Sequence, residues 1–465
     1  MASLSEKIIE GFKRSLPSPF TIAILLTLLT AFLAWYLLKP IETSNVDYLF
    51  FIIEAWEGGL WDSSGGGLYF AFQMMLMLVL GHCLALTQPI QKIIHQLVQF
   101  CTNTATSAVI VGISSMLMGL FNWGLGLIFG AILAREVGLK FSKQRKPLNF
   151  GLIGAAAYLG MMVWHGGLSG SAPTKVMENG YLEEMMQGIA LSPSFVIPDS
   201  IPFEQTVGSS MNLFTSLILL IVFGLLLWWM GKKSTQLSVP TIKTERIHKE
   251  FVTHKGAEKL DASRMVGITI GLTIVLIGIS KAYHYSGVST FGFIQPNFIN
   301  LMLLGLSLIL HQRIKDFLQG VQSAIGDISG ILIQFPLYFG ILGIMKQSGL
   351  IILFSDYLIE HATASSLPIY TFISAGLVNF FVPSGGGQWA IQGPILLQTA
   401  QELGASIPKT VMAMAYGDQL TNMLQPFWAL PLLGITKLKA HEILPYTFLF
   451  FLIGGGVFLS VLYWF

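Results

Sequence analysis

The sequence predicts an all-α polytopic membrane protein: two inverted repeats, about nine transmembrane helices and two helical hairpins. Three observations carry this prediction. Of 465 residues, 53% are hydrophobic and 11% charged, less than half the charge of a soluble domain, about 25%. Apolar runs long enough to cross a bilayer recur along the chain. The two halves also share a weak internal order. The mean hydropathy of +0.67 excludes both a soluble enzyme and a disordered chain. A net charge of +2 gives no footprint for nucleic acid. Cys83 and Cys101, both in or beside apolar stretches, suggest neither a disulfide framework nor a zinc site.

The first apolar run, Phe20 to Leu38, follows Lys7, Lys13 and Arg14. It is too long for a secretory core and no small-residue cleavage site follows, so it reads as the first span. Further spans are expected at about 65–86, 150–172, 206–230, 265–282, 291–310, 326–345, 411–435 and 443–465. The segment 46–60 carries Glu54 and Glu57 and is expected to lie on the outer surface. Two stretches are too long for one helix: 39 uncharged residues between His95 and Arg135, and 40 between His361 and Glu402. Helix-breaking sequence near each middle makes them hairpins, re-entrant or fully spanning, at about 96–134 and 362–401. The charged, patternless stretch 231–262 reads as a cytoplasmic linker between a first repeat, 1–230, and a second, 263–465.

Charge orients the layout. With the N-terminus in the cytoplasm, 21 of the 26 Lys and Arg residues fall inside, leaving Lys39, Lys175, Lys281, Lys346 and Lys409 outside. The outer loops at 40–64 and 176–204 are acidic instead. This orientation gives the two hairpins opposite directions.

The halves match in a constant order. Gly119-Leu120-Phe121-Asn122-Trp123 corresponds to Gly376-Leu377-Val378-Asn379-Phe380. Tyr158 and Pro173 correspond to Tyr416 and Pro431 at a shift of 258 residues, and Gln73 to Gln334 at 261. Inverted repeats with broken helices near the midplane are the build of many secondary transporters.

Irregular polar backbone at membrane depth survives only where it lines a cavity or meets a ligand. Four stretches qualify: 119–126 (GLFNWGLG), 164–174 (WHGGLSGSAPT), 379–394 (NFFVPSGGGQWAIQGP) and 418–431 (DQLTNMLQPFWALP). The candidate substrate-binding residues are Asn122, Trp123, Ser169, Ser171, Asn379, Ser384, Gly385, Gly386, Gly387 and Gln388. A helix starting at Gln388 would aim its positive end at the glycine turn, which suits an anion. Ionisable residues within spans are costly and so point to function. His165 and Asp418 are therefore candidates for ion coupling, and Asn422, beside a break, could hold sodium. His82 reads equally well as a satisfied core histidine. Gly119, Gly124, Gly126 and the run 151–160 read as close-packing positions, as do the glycines at 454–456. No metal-ligand spacing, nucleophile triad or nucleotide loop is present, so an enzyme is the last reading, and no cofactor is expected beyond a coupling ion, H⁺ or Na⁺.

At WHGGLSGSAPT (164–174) and VPSGGGQWAIQGP (382–394) the chain resembles the AtoE-type short-chain fatty acid transporter family, and the similar layout covers nearly its whole length. The resemblance implies two inverted repeats, each with a re-entrant hairpin and a discontinuous helix, whose tips and breaks form the substrate site. It implies short monocarboxylates such as acetoacetate or butyrate as substrates. In sodium-coupled relatives of the wider superfamily the hairpin tips carry Ser-Asn-Thr. Here the asparagines, Asn122 and Asn379, are present and the flanking Ser and Thr are not, which puts sodium coupling in question. A homodimer in the cytoplasmic membrane is expected by analogy. In such a site the backbone at 385–388 with Asn122, Asn379, Ser384 and Ser169 could hold a carboxylate, while Trp123, Phe380, Trp389 and Met423 meet an apolar tail. The alternatives are an amino-acid or dicarboxylate carrier or exchanger of the same fold, and an anion channel. A dicarboxylate needs a second anion pocket, and only His165 offers a cationic side chain near these stretches.

Overall fold

The computed structural model describes residues 19–61, 68–177, 180–186, 196–235, 237–240, 256, 258–285, 293, 296–350, 352–353, 360–381 and 385–465. Among them the chain is helical, relieved only by turns and one isolated bridge between Leu148 and Ser238. In order the helices are α1 (Pro19–Leu38), α2 (Asn45–Leu60), α3 (Leu68–Ala85), α4 (Gln88–Phe100), α5 (Thr104–Phe121), α6 (Trp123–Lys143), α7 (Phe150–Tyr158), α8 (Ser171–Lys175), α9 (Tyr181–Met186) and α10 (Ser210–Lys232). After them come α11 (Glu258–Asp261), α12 (Arg264–Tyr283), α13 (Pro296–His311), α14 (Ile314–Ala324), α15 (Ser329–Ser348), α16 (Leu367–Phe381), α17 (Gly385–Glu402), α18 (Ile407–Thr421), α19 (Pro426–Thr436) and α20 (Ala440–Trp464).

Among the described residues, six helical stretches are long and apolar enough to cross a membrane, or seven if the bent pair α3–α4 is one span. The chain is thus a multi-pass membrane protein. Five of the six fall on expected spans, and Thr104–Phe121 is an arm of the expected first hairpin; elsewhere the expected span 291–310 is a 16-residue helix, α13, and 411–435 divides into α18 and α19.

Burial sorts the spans by role. Only 17% of the apolar window is buried in α1 and in α12, whereas 89% is buried across Phe150–Lys175. The peripheral helices can therefore present Leu and Ile to lipid, while the 150–175 stretch lies in the centre. It is also the stretch in which helix geometry fails: α7 passes into 3₁₀ turns at Leu159–Met162 and Trp164–Gly166 before α8 begins. Peripheral helices are exchanged between the halves, since α1 and α2 lie on α15, whereas α13 and α14 lie on α3 and α12 lies on α13. The segment 45–60 forms the 16-residue helix α2, which packs on α15. Tyr48, Ile52, Ala55 and Gly59 are buried along α15. The cause is a glycine seam: a Cβ on Gly59 would sit 3.0 Å from the Cα of Gly343 and 3.1 Å from that of Gly340.

The first hairpin is α5–α6, broken at one residue. Asn122 is extended (φ −155°, ψ 129°); its N–H closes α5 on the Met118 carbonyl at 2.8 Å, and its Oδ1 opens α6 by accepting from the Leu125 N–H at 3.0 Å. The arms then fold back tightly. A Cβ on Gly126 would lie 2.6 Å from the Cα of Gly119, and Ser115 Oγ donates to the Gly126 carbonyl at 3.3 Å. The second hairpin is α16–α17; its tip, with Ser384, lies outside the described residues.

Candidate functional site

Where α7 breaks, several of the freed backbone groups find partners on other elements, as a membrane interior favours. The N–H groups of His165 and Gly166 donate to Gln419 Oε1 at 2.9 and 3.3 Å. The Gly166 carbonyl accepts from Asn212 Nδ2 at 2.7 Å. The Leu168 N–H donates to the Leu120 carbonyl at 2.8 Å, and Ser169 Oγ accepts from the Trp123 N–H at 2.9 Å. The tip of the first hairpin is thus sewn to the first break.

The second break, between α18 and α19, is held in a comparable way. Asn379 Nδ2 donates to the Asp418 carbonyl (2.7 Å), Thr421 Oγ1 (2.9 Å) and Asn422 Oδ1 (2.9 Å). Gln425 Nε2 donates to the Asn379 carbonyl. The Tyr158 hydroxyl donates to the carbonyls of Asn422 (2.8 Å) and Gln425 (3.2 Å). Each half of the chain therefore supplies a side chain that satisfies the broken helix of the other.

The two breaks meet at His165 and Asp418, whose Nδ1 and Oδ2 form an ion-pair contact; their side chains are 0% and 1% exposed. His165 Nε2 accepts from the Ala172 N–H at 3.2 Å. An accepting Nε2 places the ring proton on Nδ1, directed at Asp418. The Trp164 ring stacks on the imidazole with centroids 4.3 Å apart. Trp123 lies 6.1 Å from Trp164 and 5.2 Å from Trp428, making an apolar wall shared by the first hairpin tip and both breaks. The start of α17 abuts this pair. A Cβ on Gly385 would lie 2.7 Å from Asp418 Oδ2, 2.9 Å from His165 Cε1 and 3.0 Å from Trp164 Cη2. Only glycine lets the helix end come this close. One on Gly386 would lie 3.9 Å from Ser171 Oγ.

The described residues include no group of three or more His, Cys, Asp or Glu that could hold a metal. A groove of about 610 Å³ between α10 and α20, lined by Phe214, Ile218, Val457 and Trp464 among others, is apolar and contains none of the candidate residues.

Comparison with known proteins decides the family. The profile described as "Short chain fatty acid transporter" matches residues 1–465. A relative in Escherichia coli (strain K12), provisionally named a short-chain fatty acid transporter, is 35% identical, covering 96% of this chain and 95% of its own. One of the same name in Haemophilus influenzae (strain ATCC 51907 / DSM 11121 / KW20 / Rd) is 33% identical over 96% of each. The chain belongs to the short-chain fatty acid transporter family. It is a transporter and not an enzyme. Among solved structures it is similar to the Alcanivorax borkumensis YdaH transporter (15% identity, TM-score 0.43, 96% of this chain and 98% of that one). It is also similar to Neisseria gonorrhoeae MtrF, from a class of antimetabolite efflux pumps (14%, 0.46, 98% and 97%).

Within the transporter, the candidate residues divide. Asn122, Trp123 and Ser169 stand at the first hairpin tip; His165, Ser171, Gly385, Gly386 and Asp418 gather at the start of α17; Asn379 and Asn422 belong to the second break. Gly387 follows in the first turn of α17. Gln388 turns away: its Nε2 donates to the Ala375 carbonyl (2.8 Å) and Gln392 Oε1 (2.7 Å), tying the two arms of the second hairpin. Trp389 is buried in a separate apolar cluster with Ala172, Val176 and Leu396, and Met423 and Phe380 join the main core. His82 is buried on α3, and the sequence stretch names no role for it. Sequence reasoning gave no site role to Gln419, Gln425, Tyr158 or Asn212. Gln419 and Gln425 stood in the broken stretch already singled out, and Tyr158 among the repeat matches; those were the available signals.

Proposed function

We propose that this transporter is a secondary active carrier of short-chain monocarboxylates, such as acetoacetate or butyrate, across a cytoplasmic membrane, coupled to H⁺ or Na⁺. The observation that carries the reading is the first turn of α17 set against a buried His165–Asp418 pair and a tryptophan wall. A helix N-terminus attracts one carboxylate, and the indoles of Trp123 and Trp164 offer a small apolar tail its surface. Family membership supports the substrate class. The substrate would bind between the first hairpin tip and the start of α17, with Asn122, Ser169, Ser171 and Gly385–Gly387 facing its carboxylate. His165 and Asp418 offer a place for a proton. Asn422, with the buried Oδ1 of Asn379 lacking a hydrogen-bond partner among the described residues, offers oxygen ligands of the kind sodium takes.

Two inverted repeats, 1–230 and 263–465, joined by a cytoplasmic linker, fit the placement of α1–α2 on α15 and of α13–α14 on α3, and the paired roles of Asn122 and Asn379. The N-terminus would lie inside, on the charge distribution, and the carrier would work as a homodimer. Reconstituted in liposomes, it should accumulate labelled butyrate above equilibrium under an imposed pH or sodium gradient, and acetoacetate should compete. Saturable flux of an amino acid or dicarboxylate with no butyrate flux would reject the substrate class. Butyrate flux that never concentrates would reject a coupled carrier.

A further inference from the structure

We propose that a basic collar around Asn149, at one membrane surface, binds the headgroup of an anionic phospholipid whose acyl chains run along the exposed apolar face of α10. Asn149 joins three chain segments there. Its Oδ1 opens α7 by accepting from the Leu152 N–H at 3.0 Å. Its Nδ2 donates to Ser234 Oγ (2.7 Å), just past α10, and to the Tyr446 hydroxyl (2.8 Å) in α20. Leu148 and Ser238 exchange N–H to carbonyl bonds in both directions, at 2.9 and 3.3 Å. The end of α6, the end of α10 and the start of α20 are therefore tied into one neighbourhood.

Each segment brings exposed cations. Lys143, Arg145 and Lys146 follow α6. Lys232 and Lys233 close α10, and Lys439 precedes α20. The stretches 143–149, 228–238 and 437–446 contain a single acid, Glu442, whose Oε2 accepts from the Lys439 N–H at 2.7 Å. Arg145 stands in the left-handed region (φ 50°), where glycine is the usual residue, so a charge is kept there at a conformational cost. A cluster of this size attracts phosphate-bearing lipid headgroups.

The neighbouring apolar surface selects a lipid among possible anions. α10 has 23 residues, long enough at about 1.5 Å per residue to cross the bilayer, and α20 has 25. One ends where the other begins, which sets the collar at the membrane boundary. Lys232 Nζ lies 5.7 Å from the centre of the Trp228 ring, and Lys233 Nζ 4.7 Å from that of Trp229. Both indoles are about half exposed, as in an interfacial aromatic belt. Leu225, Ile221 and Leu217 continue from them along the helix, all exposed and spaced four residues apart on one face. A soluble polyanion would use the cations and leave this face empty; a phospholipid uses both.

The test titrates the purified full chain, in detergent, with dioleoyl phosphatidylglycerol or dioleoyl phosphatidylcholine and reads lipid occupancy by native mass spectrometry. Phosphatidylglycerol should bind at least about tenfold more tightly. K232Q/K233Q and K143Q/K146Q should each reduce that preference by about fivefold or more. K281Q/K346Q, which removes two exposed charges at the ends of α12 and α15, should keep it. Equal binding of the two lipids by the wild type overturns the proposal, as does a preference that survives in both collar variants. Soluble glycerol phosphate binding as tightly as the lipid would show that the apolar face adds nothing, and overturns the lipid assignment. Should the collar variants fail to fold, the wild type still decides: its preference should collapse between about 0.1 and 1 M salt, and one that does not is not electrostatic.

Discussion

The hydroxyl of Tyr158 donates a 2.8 Å hydrogen bond to the main-chain carbonyl of Asn422, 264 residues away. The reverse brace runs from Gln419 Oε1 to the N–H of His165. The two broken helices are therefore not independent: each is completed by a side chain carried on the other. Replacing Tyr158 with Phe leaves two buried carbonyls without their donor, at a cost of about 1–3 kcal/mol. Thermal unfolding in detergent should shift several degrees down in Y158F, and an unchanged midpoint would mean that the brace carries no stability.

Glycines that look alike in the sequence should behave differently. A Cβ on Gly126 would meet the backbone of Gly119 at 2.6 Å, and backbone cannot move aside. G126A should fail to form a monodisperse protein. Gly456 has nothing within 4 Å of such a Cβ, so G456A should change stability by no more than about 0.5 kcal/mol. Size-exclusion profiles of the two variants give the comparison.

Asn122 combines a structural duty with a proposed binding one, and the two can be separated. N122D keeps the oxygen that accepts from the Leu125 N–H, so the hairpin should fold and melt close to wild type. It adds a negative charge at the hairpin tip. Butyrate uptake in liposomes should fall by about tenfold or more, the effect of ~1.4 kcal/mol of like-charge repulsion. Full uptake in N122D would remove Asn122 from the substrate's surroundings.

Gly385 and Gly386 are neighbours with unequal tolerance. In G385A the new methyl must displace Asp418, His165 and Trp164, the nearest atoms being 2.7–3.0 Å away. In G386A the nearest atoms are 3.9 Å away. Gradient-driven butyrate accumulation should be lost in G385A and kept within about twofold in G386A, a difference under 0.5 kcal/mol. Equal effects would place the critical contact elsewhere on α17.

The helix breaks were legible in the sequence because membrane interiors leave few alternatives. Asn122 between two apolar arms, and the string from Trp164 to Thr174, cannot continue a helix at low cost, and the structure breaks the chain at both. The pairing of His165 with Asp418 was not legible, since nothing local to either residue encodes a contact across 253 positions. The side chain of Gln388 was not legible for the same reason. Its backbone stands beside the glycine turn, while helical geometry turns its amide toward Ala375 and Gln392, into the hairpin's own seam. The charges of the 46–60 segment pointed to the outer surface and said nothing of its packing, in which the helix buries the face bearing Ile52, Ala55 and Gly59 against α15.

The three indoles of Trp123, Trp164 and Trp428 sit on three different elements, two of the pairs 5.2 and 6.1 Å apart with planes inclined by 78° and 59°. At such separations aromatic transition dipoles couple, and the coupling depends steeply on distance and angle. The protein thus holds a native optical gauge at the junction of its first hairpin and both breaks. A rearrangement of that hairpin during turnover would be written into its near-ultraviolet circular dichroism, with no label attached.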